Sequence, residues 1–238
     1  MDIELEEIKE WQKLRILLSN NYEINDNWIS AINLFKERID RKYFTPIEYL
    51  IKEEVNQGEG FTILTTQCAI IESLASFRKG KIFNHRKDSQ SPSYEYSKSA
   101  RKFVDFLHTD DVFKNNFWIL ENNRKKKNKP FNANEFYADV RCGLLHEART
   151  KGNWFITTNS NNSETETLFL ENKNEIIKIF RSTLHYRLKK SVDKYCEDLK
   201  VVNSNGNKLR RLFGRKLDHL FGEKDITFDW WQCKNIHG

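Results

Sequence analysis

Arg141, His146, Glu147 and Arg149 crowd into one short stretch of this chain, FNANEFYADVRCGLLHEARTKGNW, between Phe131 and Trp154. An imidazole has an unperturbed pKa of about 6.5 and takes or gives a proton near neutrality. A guanidinium stays charged and offers a planar fork to phosphate oxygens. Held near one point, the two suit cleavage of RNA by its own 2′-hydroxyl, with His146 moving the proton and Arg141 stabilising charge on the pentacoordinate transition state. Neither role needs a metal. Geometry sets a condition: on an ideal helix a five-residue step turns through roughly 140°, at about 100° per residue. Arg141 and His146 then converge only through long side chains or an irregular last turn. The same residues also fit a purely structural ion-pair network with Glu72, Asp139 or Glu147. Glu147 and Arg149 fit local salt bridges at a helix end, each about 0.3–0.5 kcal/mol if exposed.

The element that must position them reads as a capped amphipathic helix. Asn132 is an N-cap, and Glu135 three residues on completes a capping box. Phe136, Tyr137, Val140 and Leu144 form one apolar stripe, and Gly152 is placed as the stop. Upstream, FTILTTQCAIIESLASFRKG repeats apolar residues at three and four, through Ile63, Leu64, Cys68, Ile71, Leu74, Ala75 and Phe77, with Gly80 as its end. Glu72 lies within that helix. It either points to water, pairs with a base such as Arg78, or faces the motif.

RCGLLH has the Arg-x4-His form of the signature of HEPN domains, and the chain from about Gly60 to Leu199 resembles that family. These are all-α modules found in bacterial ribonucleases, toxins and anti-phage proteins. The resemblance implies a HEPN-like helical bundle and metal-independent endoribonuclease activity leaving a 2′,3′-cyclic phosphate and a 5′-hydroxyl. It gives Arg141 and His146 the catalytic roles and Glu72 the task of orienting one of them. It also implies a homodimer in which two motifs face one composite cleft, and an antitoxin or defence-system partner. The residue after the motif Arg is often polar in such nucleases; here it is Cys142, which serves as a weak polar group or simply packs. Cys142, Glu147 and Arg149 are therefore secondary site candidates. A second reading is a non-catalytic HEPN module that binds RNA or nucleotide, or scaffolds a defence complex.

The composition agrees with a helical protein. Three Pro and nine Gly in 238 residues are few, and 17 Phe supply bulk for a core. The net charge of +6 is modest, so a polyanionic partner is favoured without being required. Cys68, Cys142, Cys196 and Cys233 make no C-x-x-C pair and have no His at zinc spacing, so no metal and no cofactor is expected. MDIELEEIKEW lacks the apolar region of a signal peptide and no run of about 18 apolar residues occurs, so the expectation is a cytoplasmic chain away from membranes.

Three segments follow: an N-terminal helical part (1–59), a HEPN-like core (60–202) and a C-terminal basic helix with a Trp-rich tail (203–238). The first carries apolar helical patterns over 2–18 and 28–39, and Thr45-Pro46 reads as the start of another helix. His85–Ser97 reads as an exposed loop. Phe103 to Leu107 indicate a helix broken at Thr109-Asp110-Asp111, and Phe113 to Leu120 a further short one. Arg124, Lys125, Lys126, Lys127 and Lys129 make a basic run leading into the motif helix. It is either a solvated loop or an RNA-binding segment that delivers a phosphate backbone near His146. After the motif, Trp154–Thr158 and Thr165–Leu170 read as a small β-hairpin around Asn159–Glu164. Asn172 or Asn174 then caps a long helix carrying Ile176, Ile177, Phe180, Leu184, Leu188, Val192, Tyr195 and Leu199, with Arg181, Arg187, Lys189, Lys190 and Lys194 opposite. The last helix, Lys208–Phe221, turns Arg210, Arg211, Arg215 and Lys216 outwards, for docking or for RNA; a DNA-binding role lacks a helix-turn-helix partner. Trp230-Trp231 packs onto the domain or a partner.

Overall fold

Apolar residues spaced by three and four make most of this chain helical. The computed structural model describes residues 3–53, 58–121, 124–127, 131–158 and 168–232. Four helices open it: α1 (Ile3–Leu18), α2 (Asp26–Ile39), α3 (Thr45–Glu53) and α4 (Glu59–Lys79). A π-helical turn, Asp40–Phe44, joins α2 to α3 without the break expected before Thr45. Pro46 has no N–H to offer, and it follows a turn in which the ladder is already out of α register. Strands β1 (Ile82–Phe83) and β2 (Glu95–Tyr96) pair in parallel, so the segment expected as an exposed loop ends in a strand, with Tyr94 buried beside it.

Helices α5 (Ser99–Thr109) and α6 (Lys114–Phe117) come next, and α6 stops three residues short of Leu120. Trp118–Glu121 is instead strand β3, paired antiparallel with β4, Arg124–Lys127, Trp118 opposite Lys127. The basic run is therefore a strand of a hairpin and not a loop; Lys129 lies outside the described residues. The motif helix runs on from α7 (Ala133–Glu135) through a π-helical stretch (Phe136–Arg141) into α8 (Cys142–Glu147).

The next sheet corrects the expected hairpin. Its strands are β5 (Trp154–Thr157), β6 (Leu170–Lys173) and β7 (Ile176–Phe180), in the order β5-β7-β6. The hairpin is β6–β7, turned through Asn174 and Glu175, both at positive φ (52° and 66°) as a two-residue turn of the I′ kind requires. Trp154–Thr157 pairs with β7 in parallel, and 159–167 lie outside the described residues. Ile176, Ile177 and Phe180 thus belong to a strand, and α9 (Arg181–Lys200) starts only after them, without an Asn172 or Asn174 cap. Helix α10 (Ser204–Leu220) is N-capped by Asn203, whose side chain accepts from Gly206 N.

The chain forms two compact units. One comprises Met1–Ile39, Ser76–Ser99 and Asp193–Gly238; the other comprises Asp40–Ala75 and Ala100–Val192. In the first, Phe35, Phe77, Tyr195 and Phe213 make one ring cluster, with centroids from 4.6 Å (Phe35–Phe77) to 6.5 Å apart. Beside it the fully buried Asp218 accepts from Trp11 (2.9 Å), Trp230 (2.8 Å), Trp231 (2.7 Å) and both Nε and Nη2 of Arg15 (2.8 and 2.9 Å). A buried carboxylate is tolerable when its lone pairs are met in this way. Trp230 and Trp231 accordingly pack onto their own unit, 0% and 5% exposed.

Of the four side chains expected to face outwards from α10, only Arg211 is partly exposed, and it donates to the carbonyls of Asp229 (2.8 Å) and Gln232 (3.2 Å). Arg210, Arg215 and Lys216 are buried. Arg210 donates to the carbonyls of Tyr22 (2.6 Å) and Val201 (3.1 Å), and Arg215 to that of Trp230 (2.7 Å) while lying over the Tyr94 ring. The two arginines stitch backbone together, which is a reason for α10 to carry them inside.

In the second unit Phe136 is the hub. Its ring meets those of Phe103, Phe117, Trp154 and Phe169 at 5.6–6.3 Å. By length and composition α4 could cross a membrane, but here Ile63, Leu64, Ile70 and Ile71 are spent on the core.

Candidate active site

The motif helix is positioned by three local devices. Asn132 accepts from Asn134 N at 2.9 Å, which makes it the N-cap; Glu135 reaches the Asn132 side-chain amide (3.2 Å). Phe136, Val140 and Leu144, four apart, bury one face. The helix stops at Glu147, earlier than the expected Gly152, because Ala148 turns left-handed (φ 52°). Its N–H and that of Arg149 both reach the Gly143 carbonyl. The returning chain passes so close that a Cβ on Gly143 would sit 2.5 Å from the Arg149 carbonyl oxygen, so only glycine fits there.

Arg141 meets Glu72 of α4. Nη2 donates to Oε2 at 3.1 Å and Nε lies 2.9 Å from Oε1. The guanidinium also lies over the Tyr137 ring (5.4 Å) and its Nη1 faces Cys142 Sγ at 4.0 Å. The Arg141 side chain is 17% exposed. Burial works against its charge, but the hydrogen bond and charge of Glu72 outweigh that and raise its pKa above the ordinary value. Cys68, one turn before Glu72, is buried, and burial pushes its thiol up out of the reactive range.

His146 is exposed. Beside it Glu147 binds Lys151 (2.5 Å) and lies 3.9 Å from Arg149; Lys151 holds its carboxyl below the ordinary range. Among the described residues no hydrogen bond or ion pair joins Arg141 to His146. The π-helical stretch ends at Arg141, and Cys142–Glu147 is α-helical, so the step between the two keeps its roughly 140° turn. Of the expected set, Arg141, Glu72 and Cys142 come together, Glu147 and Arg149 form a separate local pair, and His146 faces solvent. Arg124–Lys127 lie on β4.

The second unit contains a further charged stripe, of which the sequence places Arg181 and Lys189 opposite the apolar face of the long helix and does not single out His185. Arg181, His185 and Lys189 stand four apart on α9, and Arg181 and His185 are buried. Arg181 Nη1 binds Glu59 at 3.1 Å, while Glu48 takes His185 Nε2 (3.2 Å) and Lys189 Nζ (2.5 Å). Burial drives the His185 pKa below its ordinary value against the pull of Glu48. The regular spacing of 181, 185 and 189 was the available signal. No group of three His, Cys, Asp or Glu is placed to hold a metal among the described residues. Comparison with family models, with curated proteins and with solved structures gives no match for this chain.

Proposed function

We propose that the second unit is a metal-independent endoribonuclease of HEPN type, serving anti-phage defence or a toxin–antitoxin system. The observation that carries this reading is the two-point grip of Glu72 on Arg141, next to a helix end that presents His146 to solvent. The grip fixes the guanidinium plane and leaves Nη1 turned towards Cys142, available to a phosphate oxygen. An exposed imidazole can reach a 2′-hydroxyl proton without rearrangement of the core. Because Arg141 and His146 leave the helix on different sides, one copy does not close a site around a single phosphorus. A second copy supplies the missing partner, so the active form is a homodimer with a composite cleft. The test is incubation of the purified protein with total RNA in EDTA, with the ends mapped. Wild type yields 2′,3′-cyclic phosphate and 5′-hydroxyl ends, and both Arg141→Ala and His146→Ala abolish them.

The same grip supports a second reading, because Glu72 neutralises the guanidinium along its Nε–Nη2 edge. On that reading the unit binds RNA without cutting it, through β4. His146→Ala then leaves RNA affinity intact, and reversing Lys125, Lys126 and Lys127 removes it together with its salt dependence.

A further inference from the structure

We propose that the first unit binds the sugar–phosphate backbone of single-stranded RNA, in the open groove of about 520 Å³ between the α1–α2 loop and α10. Arg211, on α10, is held from behind. Its Nη2 donates to the carbonyls of Asp229 (2.8 Å) and Gln232 (3.2 Å), and its Nε is closed off beside Asp229 Oδ2 (3.8 Å). Nη1 is the donor left over, with no acceptor among the described residues. Asn207, one turn earlier, accepts from Arg210 Nη2 (2.5 Å) through Oδ1, so its NH2 is the end that remains for a ligand. Asn21 accepts from the Glu23 N–H (3.2 Å) in the same way. Lys208 is exposed and unpaired among the described residues. The Tyr22 carbonyl takes Arg210 Nε (2.6 Å) and the Tyr22 hydroxyl donates to Asp229, which fixes the loop against α10. The groove therefore offers donors whose directions are set before any ligand arrives.

Donors on both walls call for a ligand rich in oxygens, and Lys208 with Arg211 calls for negative charge. Glu23, exposed in the same lining, narrows the class. Its carboxylate repels free phosphate and a DNA backbone alike, unless the ligand brings a hydroxyl that donates to it. In a chain of phosphates the ribose 2′-hydroxyl is that group. Tyr22 is the one ring among the described lining residues, and it is packed against Trp28 and Trp230, with centroids 6.2 and 6.5 Å away. It offers no free face for a base to stack on, so the groove reads backbone and not sequence. An open, polar groove suits a passing chain better than a small molecule, which is held in an enclosed and largely apolar pocket. Every residue of the groove belongs to the first unit, so binding here does not depend on Arg141 or on cleavage in the second.

The test uses the full chain carrying His146→Ala as the parent, so that cleavage cannot consume the probe. Fluorescence anisotropy compares a labelled oligouridylate with the oligodeoxyuridylate of equal length, which differ only in the 2′-hydroxyl. The parent binds the ribo probe about tenfold tighter, the worth of a hydrogen bond to a charged acceptor. Glu23→Ala brings the two probes to within about twofold, because it removes the acceptor for one and the repulsion for the other. Lys208→Glu, a change at an exposed and unpaired side chain, weakens the ribo probe by about tenfold and lowers the slope of its salt dependence by about one. Equal affinity of the parent for the two probes overturns the proposal. So does RNA binding that neither Glu23→Ala nor Lys208→Glu alters, and so does absence of binding. Cleavage by the chain with His146 intact is a separate readout and bears on the second unit alone.

Discussion

Glu72 and Arg141, 69 residues apart in sequence, meet at two points, 2.9 Å from Nε and 3.1 Å from Nη2. The pair ties α4 to the motif helix and so has a structural and a chemical consequence that can be separated. Glu72→Gln keeps the shape and removes the charge, leaving a partly buried guanidinium with a weaker partner. It is expected to destabilise the fold by about 1–3 kcal/mol, read by urea denaturation. Arg141→Gln in the Glu72→Gln background should then cost less than in wild type, because the charge interaction is already lost. If the two changes are additive, the grip carries no coupling energy and its assigned role is wrong.

His146→Ala separates chemistry from stability most cleanly. The side chain is exposed and contributes little to packing, so the unfolding free energy should stay within about 0.5 kcal/mol of wild type. RNA cleavage should vanish. Retained cleavage in a normally folded His146→Ala protein would remove the imidazole from the mechanism.

What could be seen in the sequence was what local rules encode. Asn132 as a cap and the stripe Phe136, Val140 and Leu144 are set by neighbours a turn away. The β-rich segment was misplaced because Ile176, Ile177 and Phe180 fit a helical stripe as well as a strand, and the turn at Asn174–Glu175 forces a non-Gly, non-Asn residue into positive φ. The parallel partner of β7 is a strand some twenty residues upstream, with no local mark. Arg181, Arg210 and Arg215 read as surface charge because Arg210 and Arg215 donate to backbone carbonyls, which have no sequence signature, and Arg181 pairs with Glu59, 122 residues away. The grip of Glu72 on Arg141 was foreseen only as one of several partners.

Asp218 makes a prediction for the first unit. It gathers α1 and the Trp230-Trp231 tail onto α10 through five donor contacts. Asp218→Asn removes the charge opposite the buried Arg15, whose pKa Asp218 raises by hydrogen bonding. Loss of one partner of a buried pair costs about 3–5 kcal/mol. Chemical denaturation followed by tryptophan fluorescence should show that loss, with a changed native spectrum because Asn offers the three indoles one neutral oxygen where Asp218 offers two charged ones. A variant as stable as wild type would mean that ring packing alone holds the tail.

Lys216 makes the opposite prediction, a substitution that stabilises. Its ammonium lies 5.2 Å from the centre of the Phe77 ring, is buried on α10, and burial lowers its pKa from 10.5 to about 8. Between pH 8 and 10.5 the unfolded chain binds more protons at this position than the folded one, so stability contributed here rises with pH across that window. Below pH 8 both states are protonated and the folded state carries the full cost of burying the charge, about 3 kcal/mol for a shift of this size. Lys216→Met keeps the length and apolar bulk and removes that cost, so it should be more stable than wild type at pH 7 by up to about that amount. The advantage should shrink as pH rises and be gone near pH 10.5, where the wild-type lysine is neutral when folded and begins to lose its proton when unfolded. Denaturation curves of the two proteins at pH 7, 9 and 10.5 measure the difference directly and cancel the alkaline instability common to both. A Met variant less stable at pH 7, or a difference flat in pH, would show that the interaction with the Phe77 face outweighs desolvation at this site.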